Sequence, residues 1–307
     1  MKSAVVILNP HSGQVDSEAL SEDIVHALED EFEGVVLHSC ESSDEARKLA
    51  REAREDGADA VFAAGGDGTV STVVQGILES VDERDSVPIL GILPGGTGNG
   101  FARTLGIPPT IPEALKRLDF GARRPIDMGF VNGVPFVYTV TGGSLPAGIR
   151  EVSSEDKTRL GFFSYVASEL RRIGDNEQHR LRIVVDGEEV VEDINSFVAL
   201  SANTLVNFFT ASPDTGVEEG KLHLLALKDA SLPALLSMVP DVLRRSIEES
   251  DHVLYLHGTE IEVECLNGTL RCGVDGDDGP LLPIRLTIQQ GRMETFALKE
   301  PALKDDV

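Results

Sequence analysis

Three short glycine-rich stretches carry the residue types that bind phosphate groups through the main chain. They read Asn9-Pro10-His11-Ser12-Gly13, Gly65-Gly66-Asp67-Gly68-Thr69 and Pro94-Gly95-Gly96-Thr97-Gly98-Asn99-Gly100. Glycine lets the backbone come close to an anion and leaves N–H groups free to donate to its oxygens. A helix predicted to follow Thr69 would add the positive end of its dipole. The three stretches therefore predict an anion-binding site.

The second stretch also holds a carboxylate, Asp67, which indicates what kind of anion-binding site this is. A carboxylate beside phosphates is useful chiefly as a ligand of Mg²⁺, although the same residue type also caps helix N-termini. The chain has no Gly-x-x-x-x-Gly-Lys-Ser/Thr, and no Gly-x-Gly-x-x-Gly opens the helix after the first apolar run. The site therefore belongs neither to the P-loop class nor to the usual dinucleotide-binding class.

The stretches follow apolar runs that alternate with charged, helix-like segments in the first part of the chain. We expect strands at Ala4–Leu8, Val35–Leu37, Ala60–Ala64 and Pro88–Leu93, and helices at Ser17–Glu31, Asp44–Asp56 and Val70–Leu78. Continuous apolar runs are typical of strands buried on both faces, and regular alternation with helices predicts a parallel sheet. Ligands bind such sheets beyond the carboxyl ends of the strands, which is where the three stretches fall.

The chain changes character after Arg123-Arg124-Pro125. Strand-like runs separated by turn signals occur at Phe130–Val140, Leu181–Val185, Ser196–Ser201, Leu222–Leu227 and Ile261–Cys265, and helical spacing at Gly161–Ile173 and Leu232–Ile247. This pattern predicts a mainly antiparallel β domain. We therefore expect two domains, residues 1–124 and residues 125–291.

The predicted helix Leu232–Ile247 carries an apolar stripe at helical spacing. Its members are Leu235, Leu236, Val239, Leu243 and Ile247. Such a stripe is more often core than membrane contact. The Arg244-Arg245 pair near its end more often complements the helix dipole than a lipid headgroup. We interpret the stripe as core.

The charge balance excludes one class of partner. The chain has 27 Lys and Arg against 52 Asp and Glu, a net charge of −25. It therefore lacks the basic face that nucleic acids require. An excess of acid is also typical of a surface adapted to concentrated salt, where a Debye length of about 3 Å screens self-repulsion. We expect a halophilic protein that binds no nucleic acid.

Targeting and cysteine signals point to the cytoplasm. The first apolar run, Ala4–Leu8, is too short for the core of a signal peptide, and no apolar window reaches the roughly 18 residues of a membrane span. Cys40, Cys265 and Cys272 contain no Cys-x-x-Cys pair and are odd in number. We therefore expect reduced cysteines, with neither disulfides nor a zinc site.

Taken in this order, with the last one extended to Leu93–Arg103, the three stretches resemble the nucleotide-binding motifs of the diacylglycerol kinase catalytic-domain family. That family includes soluble bacterial lipid kinases and sphingosine kinases. Weaker similarities continue at Ile126–Gly129, Lys157–Gly161, Asp186–Glu188 and Asp275–Asp277. The resemblance implies a fold similar to NAD kinase and diacylglycerol kinase. This is an α/β Rossmann-like nucleotide-binding domain followed by a mainly antiparallel β-sandwich, with a last strand near 292–298 that returns to the first domain.

The resemblance also implies an ATP- and Mg²⁺-dependent phosphotransferase that acts on a hydroxyl of a lipid or lipid-like alcohol in phospholipid biosynthesis. ATP and the lipid are the implied partners, with peripheral contact at the inner face of the membrane, and a homodimer is compatible with the sequence. The implied nucleotide-binding residues are Asn9, Ser12, Gly13, Gly65, Gly66, Asp67, Gly68, Thr69, Gly95, Gly96, Thr97 and Asn99. The implied metal ligands are Asp67 and Glu219, and the implied catalytic residues are Asp67 and Asp277.

Several positions depart from the family pattern. Asp277 stands where the family has the Glu that is taken as the base, which brings the carboxylate one C–C bond, roughly 1.5 Å, nearer the backbone. Thr72 and Gln75 replace a Glu and an Asn, and Thr141–Gly148 stands in place of a Gly-Phe-Asp-Ala segment. Two alternatives therefore stay open: a small-molecule kinase similar to NAD kinase, and a nucleotide-binding protein without catalytic activity.

Overall fold

The computed structural model describes residues 2–12, 18–96, 98–143, 177–201, 219–244 and 246–299, apart from the side chains of Leu232 and Val242. The features named above that lie outside this part are Gly13, Thr97, Ser144–Gly148, Lys157–Gly161, Gly161–Ile173 and Arg245. The chain divides into two compact units, Met1–Pro125 with Met293–Val307, and Ile126–Arg292. No helix in the described ranges combines the length and the hydropathy needed to cross a bilayer.

The first unit is a parallel sheet whose strands alternate with helices. Its elements are β1 (Ser3–Leu8), α1 (Glu18–Glu29), β2 (Gly34–Ser39), α2 (Ser43–Glu55), β3 (Ala60–Gly65), α3 (Asp67–Leu78), β4 (Ile89–Pro94), α4 (Gly100–Thr104) and α5 (Ile111–Arg117). The strands pair in the order β2-β1-β3-β4, and every pair is parallel. The predicted alternation of strands and helices is confirmed, with small shifts in the bounds.

The apolar sequences of β3 and β4 explain their central place in this sheet. Both strands are buried along their whole length, so helices can cover both faces. Helix α2 turns Ala46, Ala50 and Ala53 inward. Gly76 of α3 lies so close to α2 that an added Cβ would overlap the carbonyl oxygen of Arg47. Small residues on both helices therefore allow them to pack backbone to backbone.

Helix α3 begins at Asp67, whereas the sequence predicted that it begins near Val70. Gly66 is its N-cap, and the Gly66 carbonyl oxygen accepts bonds from the N–H groups of Thr69 and Val70. The prediction was wrong because glycine and aspartate are poor residues for a helix interior but are well tolerated at its start. Asp67, Gly68 and Thr69 are therefore fixed in a helical turn directly after β3.

The second unit is built mainly from antiparallel strands. Two strands cross the boundary between the units, β5 (Leu118–Val131) at its start and β16 (Ile284–Leu298) at its end. The other elements are β6 (Val134–Phe136), β7 (Thr139–Gly143), β8 (His179–Val185), β9 (Glu188–Ile194), β10 (Ser196–Leu200), β11 (Leu222–Leu227), α6 (Leu232–Ser237), α7 (Val239–Arg244), a 3-10 turn (Ile247–Glu249), β12 (Val253–Gly258), β13 (Glu260–Cys265), β14 (Arg271–Val274) and β15 (Asp277–Leu281).

Two antiparallel layers share one core in this unit. One layer has the order β12-β11-β10-β7-β14-β15, and the other contains β9-β8-β13-β16. Apolar side chains from both layers meet, among them Leu181, Phe197, Leu224, Ile261 and Leu286. The predicted antiparallel sandwich is thereby confirmed. Beyond it, the end of β16 pairs in parallel with β4 of the first unit's sheet through Thr295 and Leu90.

Two predicted elements of the second unit are divided in the structure. The strand expected at Phe130–Val140 is broken by Asn132 and Gly133, which both have positive φ and form the β5–β6 turn. The helix expected at Leu232–Ile247 ends at Ser237 and resumes at Val239. Pro240 explains this second break, because it has no N–H to donate to the carbonyl of the preceding turn.

Candidate active site

The three glycine-rich stretches lie at the same edge of the first sheet because β1, β3 and β4 are adjacent and parallel. The stretches continue the sheet's hydrogen bonds by one step past the strands. The N–H of Asn9 donates to the Ala64 carbonyl over 3.0 Å, and the N–H of Gly95 donates to the Gly65 carbonyl over 2.8 Å. The structure thus brings together the parts that the sequence could only place separately.

Asn9 joins the first stretch to the second. Its side-chain Nδ2 donates to Thr69 Oγ1 over 3.2 Å. Its Oδ1 accepts the N–H of His11 over 3.0 Å, and the Ser12 hydroxyl donates to its carbonyl over 2.8 Å. Asn9 and Ser12 therefore shape the first turn and orient the Thr69 hydroxyl at the start of α3.

The second and third stretches approach each other backbone to backbone. A Cβ added to Gly96 would lie 2.7 Å from the Gly66 Cα, which no real Cβ tolerates. A Cβ added to Gly65 would overlap the Thr69 side chain. Glycine at these positions is therefore required by packing, which adds a second reason to the anion binding inferred from the sequence.

Asp67 bridges the second and third stretches. Its Oδ2 accepts the N–H of Gly100 over 2.8 Å, and its Oδ1 accepts the N–H of Phe101 over 3.0 Å. These two donors are the first N–H groups of α4, so Asp67 caps a helix that begins 33 residues further along the chain. Each oxygen keeps further lone pairs. The carboxylate therefore fits a single bond to Mg²⁺ in addition to its structural role.

Asn99 closes the third stretch on itself. It is buried and has a left-handed backbone with φ of 49°. Its Oδ1 accepts the N–H of Gly96 over 3.1 Å, and its Nδ2 donates to the Gly96 carbonyl over 2.7 Å. Asparagine is among the few side-chain-bearing residues that adopt this backbone readily. Asn99 thus fixes the shape of the turn.

The start of α3 keeps donors for an anion. Its N-cap is Gly66, and no side chain of the described residues caps it. The first N–H groups of a helix have no partner inside the helix. Together with the helix dipole, these donors suit a phosphate group at Asp67 and Gly68.

Asp277 is exposed in the second unit and begins β15. It lies opposite Val274 across a hairpin whose turn residues, Asp275 and Gly276, both have positive φ. The Asp275 carboxylate accepts three backbone N–H groups, those of Val137, Tyr138 and Thr139, over 2.8 to 2.9 Å. The hairpin that carries Asp277 is therefore anchored to the start of β7.

Sequence reasoning missed the anchoring role of Asp275. The Asp-Gly pair signals a tight turn, and the family similarity included Asp275 only as part of a motif. Nothing local in the sequence shows that its carboxylate binds the backbone 136 to 138 residues earlier.

Glu219 has nitrogen neighbours in the second unit. Its carboxylate lies 3.2 Å from His223 Nε2 and 3.8 Å from Lys221 Nζ. Among the described residues no group of three or more His, Cys, Asp or Glu side chains is placed to hold a metal. This neighbourhood does not fit Mg²⁺, which prefers oxygen ligands. The metal role of Glu219 stays a prediction without support from the described contacts.

His223 is a buried residue to which the sequence gave no role. Its Nδ1 lies 2.8 Å from the Tyr255 hydroxyl. Burial lowers the pKa of His223, and the nearby Glu219 carboxylate opposes this shift. Burial also raises the pKa of Tyr255 to about 12. The pair is therefore a neutral, hydrogen-bonded part of the interior at neutral pH.

Two family models cover most of the chain. The diacylglycerol kinase catalytic domain matches residues 3–131, and the YegS C-terminal NAD kinase beta sandwich-like domain matches residues 140–297. A Streptococcus pneumoniae protein named "Putative lipid kinase" is 33% identical over 299 residues, 97% of this chain and 98% of that protein. A diacylglycerol kinase of Bacillus subtilis is 31% identical over 284 residues, 92% of either chain.

Solved structures share the fold. The crystal structure of a "putative diacylglycerol kinase" from Bacillus anthracis matches with a TM-score of 0.76 at 24% identity, covering 96% of this chain and 95% of that one. Yeast NADH kinase matches with a TM-score of 0.51 at 12% identity, covering 98% and 84% of the two chains. The resemblance seen in the three glycine-rich stretches is confirmed. The chain therefore belongs to the diacylglycerol kinase catalytic-domain family and is a phosphotransferase of the ATP-dependent lipid kinase class.

Proposed function

We propose that this protein transfers the γ-phosphate of ATP, in the presence of Mg²⁺, to a hydroxyl of diacylglycerol or a related lipid alcohol. The observation that carries the proposal is the meeting of three glycine-rich turns at one sheet edge. Asn9 joins the first turn to the second, and Asp67 joins the second to the third. The names of relatives that span nearly the whole chain support the acceptor class. The product would be a lipid phosphate, which enters phospholipid biosynthesis.

The phosphate groups of ATP bind the start of α3. The donors are the N–H groups of Asp67 and Gly68, with Thr69 oriented by Asn9. Gly96 lets the third stretch lie against Gly66, because a Cβ on Gly96 would lie 2.7 Å from the Gly66 Cα. Gly95 joins the third stretch to the second through the bond from its N–H to the Gly65 carbonyl. Ser12 and Asn99 act by holding their turns in shape. Gly13 and Thr97 keep their proposed roles on the family resemblance.

Asp67 would hold Mg²⁺ against the phosphate oxygens. When bound, the ion neutralises charge on the transferring phosphoryl group. The chain's own contribution is to fix the carboxylate, because two backbone N–H bonds leave it one orientation. Positioning and charge are most of what phosphoryl transfer requires from a protein.

Asp277 accepts the proton of the acceptor hydroxyl. The hydroxyl oxygen forms a bond to the γ-phosphorus, the bond from that phosphorus to the β–γ bridging oxygen breaks, and ADP leaves. The proton passes to the Asp277 carboxylate. Exposure makes the group accessible to a substrate, and the Asp275 anchor holds its hairpin in place. Because Asp is shorter than Glu by roughly 1.5 Å, the acceptor must approach more closely than in relatives that carry Glu.

We assign ATP binding to residues 1–124 with the strand near 292–298, and acceptor binding to residues 125–291. The enzyme would act in the cytoplasm and meet its lipid at the inner face of the membrane. Light scattering at several protein concentrations distinguishes a monomer from the homodimer that the sequence permits.

The test is transfer from γ-labelled ATP with Mg²⁺, in molar KCl, to a panel of acceptors. The panel contains diacylglycerol, ether-lipid diols, sphingoid bases and NAD. We expect label in an organic-soluble lipid product. Label in NAD would favour the NAD kinase alternative. Measurable ATP binding without any labelled product would favour the silent nucleotide-binding alternative, to which the Asp277 and Thr141–Gly148 departures point.

A further inference from the structure

The helix pair α6 and α7 presents an apolar face to solvent. Each helix carries two exposed apolar residues that lie three positions apart and therefore share one face of that helix. They are Pro233 and Leu236 in α6 and Pro240 and Leu243 in α7, and we call the four residues the α6–α7 stripe. Leu236 is 61% exposed and Leu243 is 54% exposed. Ala234, Leu235 and Met238, which lie between these positions in the chain, are buried.

The structure buries only some residues of the apolar stripe that the sequence led us to interpret as core. Leu235 and Ile247 are buried, as expected of core residues. Leu236 and Leu243 are not, although leucine is among the residues most often found inside. The helices therefore use one apolar face for packing and present a second one outward.

The other large exposed apolar side chains in the described ranges do not form such a group. They are Val36, Val134, Leu266 and Leu281, which lie on separate strands or at a turn. Single exposed apolar residues are ordinary on any protein surface. Four exposed apolar residues on two consecutive short helices are the less common case and indicate a binding surface.

The charge of the helix pair indicates which kind of partner binds this surface. The exposed positions from Pro233 to Arg244 include no carboxylate, although the chain has 52 Asp and Glu against 27 Lys and Arg. Asp241 is only partly exposed. Arg244 is exposed at the end of α7, where a cation can meet phosphate oxygens. The exposed positions of the two helices are thus apolar or uncharged up to Arg244, and the first exposed carboxylate after them is Glu249 on the 3-10 turn. Such a surface complements the acyl and headgroup layers of a bilayer.

We propose that the α6–α7 stripe docks this protein on a lipid bilayer. Leu236 and Leu243 enter the boundary between headgroups and acyl chains, and Arg244 contacts the phosphate layer. The proposal rests on the proposed function, because a lipid acceptor is met at such a surface. The stripe belongs to the unit to which acceptor binding is assigned.

The experiment compares three proteins in molar KCl: wild type, the double variant L236S/L243S, and L266S. Leu266 is 50% exposed, so L266S removes one leucine of similar exposure away from the helix pair. The first readout is co-sedimentation with phosphatidylcholine vesicles that contain diacylglycerol. The second is turnover of ATP with vesicle-borne diacylglycerol and with a short-chain diacylglycerol kept below its micelle concentration.

We expect the double variant to bind vesicles about 10- to 100-fold more weakly than wild type, since two leucines no longer leave water on binding. L266S should bind as wild type does. Turnover of the short-chain acceptor should be equal in all three chains, while turnover on vesicles should fall in the double variant alone. This split separates docking from catalysis.

The proposal is overturned if wild type does not bind vesicles, or if the double variant binds as wild type does. Loss of a dimer in the double variant, with vesicle binding unchanged, would assign the stripe to a second copy of the chain and also overturn it. Leucine-dependent vesicle binding without lipid turnover by any chain would support docking and count against the proposed function alone.

Discussion

Asp67 acts at the scale of single residues by adding side-chain bonds between two turns that the backbone already brings together. Its two oxygens hold the first N–H groups of α4 while its own backbone begins α3. One side chain therefore reinforces the contact that the Gly95 N–H makes with the Gly65 carbonyl. The same carboxylate is the proposed Mg²⁺ ligand, so its structural and chemical roles coincide.

Asp67→Asn should abolish most of the transfer. The amide offers one oxygen where the carboxylate offers two, and its NH₂ faces an N–H donor of α4. We expect kcat to fall at least about 100-fold, the scale at which small displacements affect catalysis. Steady-state kinetics and ATP binding measure this effect. Asp85→Asn, which alters a carboxylate that accepts the Asp82 N–H in a surface turn, is the matched control. Unchanged turnover in Asp67→Asn would refute its role.

Asp277 gives a separate prediction for the acceptor side. Asp277→Asn removes the proposed base but leaves the proposed phosphate-binding turn of α3 intact, so ATP binding should persist. We expect kcat to fall by about 100-fold or more, as is common for a lost general base. Asp278→Asn, at the neighbouring exposed position on β15, should leave kcat unchanged. Equal activity of the two variants would show that Asp277 is not the base.

At the scale of elements, the close packing of α2 against α3 holds the proposed phosphate-binding helix on the sheet. Gly76 allows this contact with the backbone of Arg47. Arg54 of α2 also donates to the carbonyls of Ile77 and Glu79 at the end of α3, over 3.0 and 2.6 Å. The position of the helix is therefore fixed at its far end as well as at Asp67.

Gly76→Ala should lower the free energy of unfolding. Alanine favours a helix by about 1 kcal/mol over glycine, but overpacking against the Arg47 carbonyl costs about 1–3 kcal/mol. We expect the cost of overpacking to equal or exceed the gain in helix propensity. Gly68→Ala in the same helix meets no atom within 4 Å and should be neutral or stabilising. Chemical denaturation measures both variants. Stabilisation by Gly76→Ala would contradict the packing described for α2 and α3.

The elements also show how far sequence reasoning reaches. The buried runs of β3 and β4 are local patterns and were predicted correctly, as was the place of the glycine-rich stretches at the ends of these strands. The α6–α7 break and the division of Phe130–Val140 depended on single residues, Pro240 and the Asn132-Gly133 turn. Such signals are readable but were outweighed by the apolar pattern around them.

Long-range contacts explain what the sequence did not predict. Asp67 binds residues 33 and 34 positions away, and Asp275 binds residues more than 130 positions away. Neither pairing follows from periodicity or composition, because both arise only when distant segments meet in the fold. The candidate site was thus predicted as a set of residues, but not as a bonded arrangement.

The whole molecule carries a net charge of −25, which should make its stability depend on salt. Exposed ion pairs such as Arg182–Glu189 and Arg180–Asp193 offset only part of this excess, since each exposed pair contributes about 1 kcal/mol or less. The remaining carboxylates repel one another, and this repulsion destabilises the fold unless counterions screen it.

We expect the melting temperature to rise steeply between dilute buffer and molar KCl. At molar ionic strength the Debye length falls to about 3 Å, so repulsion between surface carboxylates is largely screened. Scanning calorimetry at several KCl concentrations measures the effect, with sucrose of equal osmolarity as an uncharged control. Equal melting temperatures in dilute and molar KCl would show that the protein is acidic without being adapted to salt.

The most direct test of the proposed lipid kinase activity is a competition between two acceptors in one reaction. Wild-type protein receives γ-labelled ATP and Mg²⁺ in molar KCl, with diacylglycerol vesicles and NAD present together. We expect the label to partition into the organic phase as a lipid phosphate. Label in the nucleotide fraction as phosphorylated NAD, or ATP bound without transfer to either acceptor, would contradict the proposed activity.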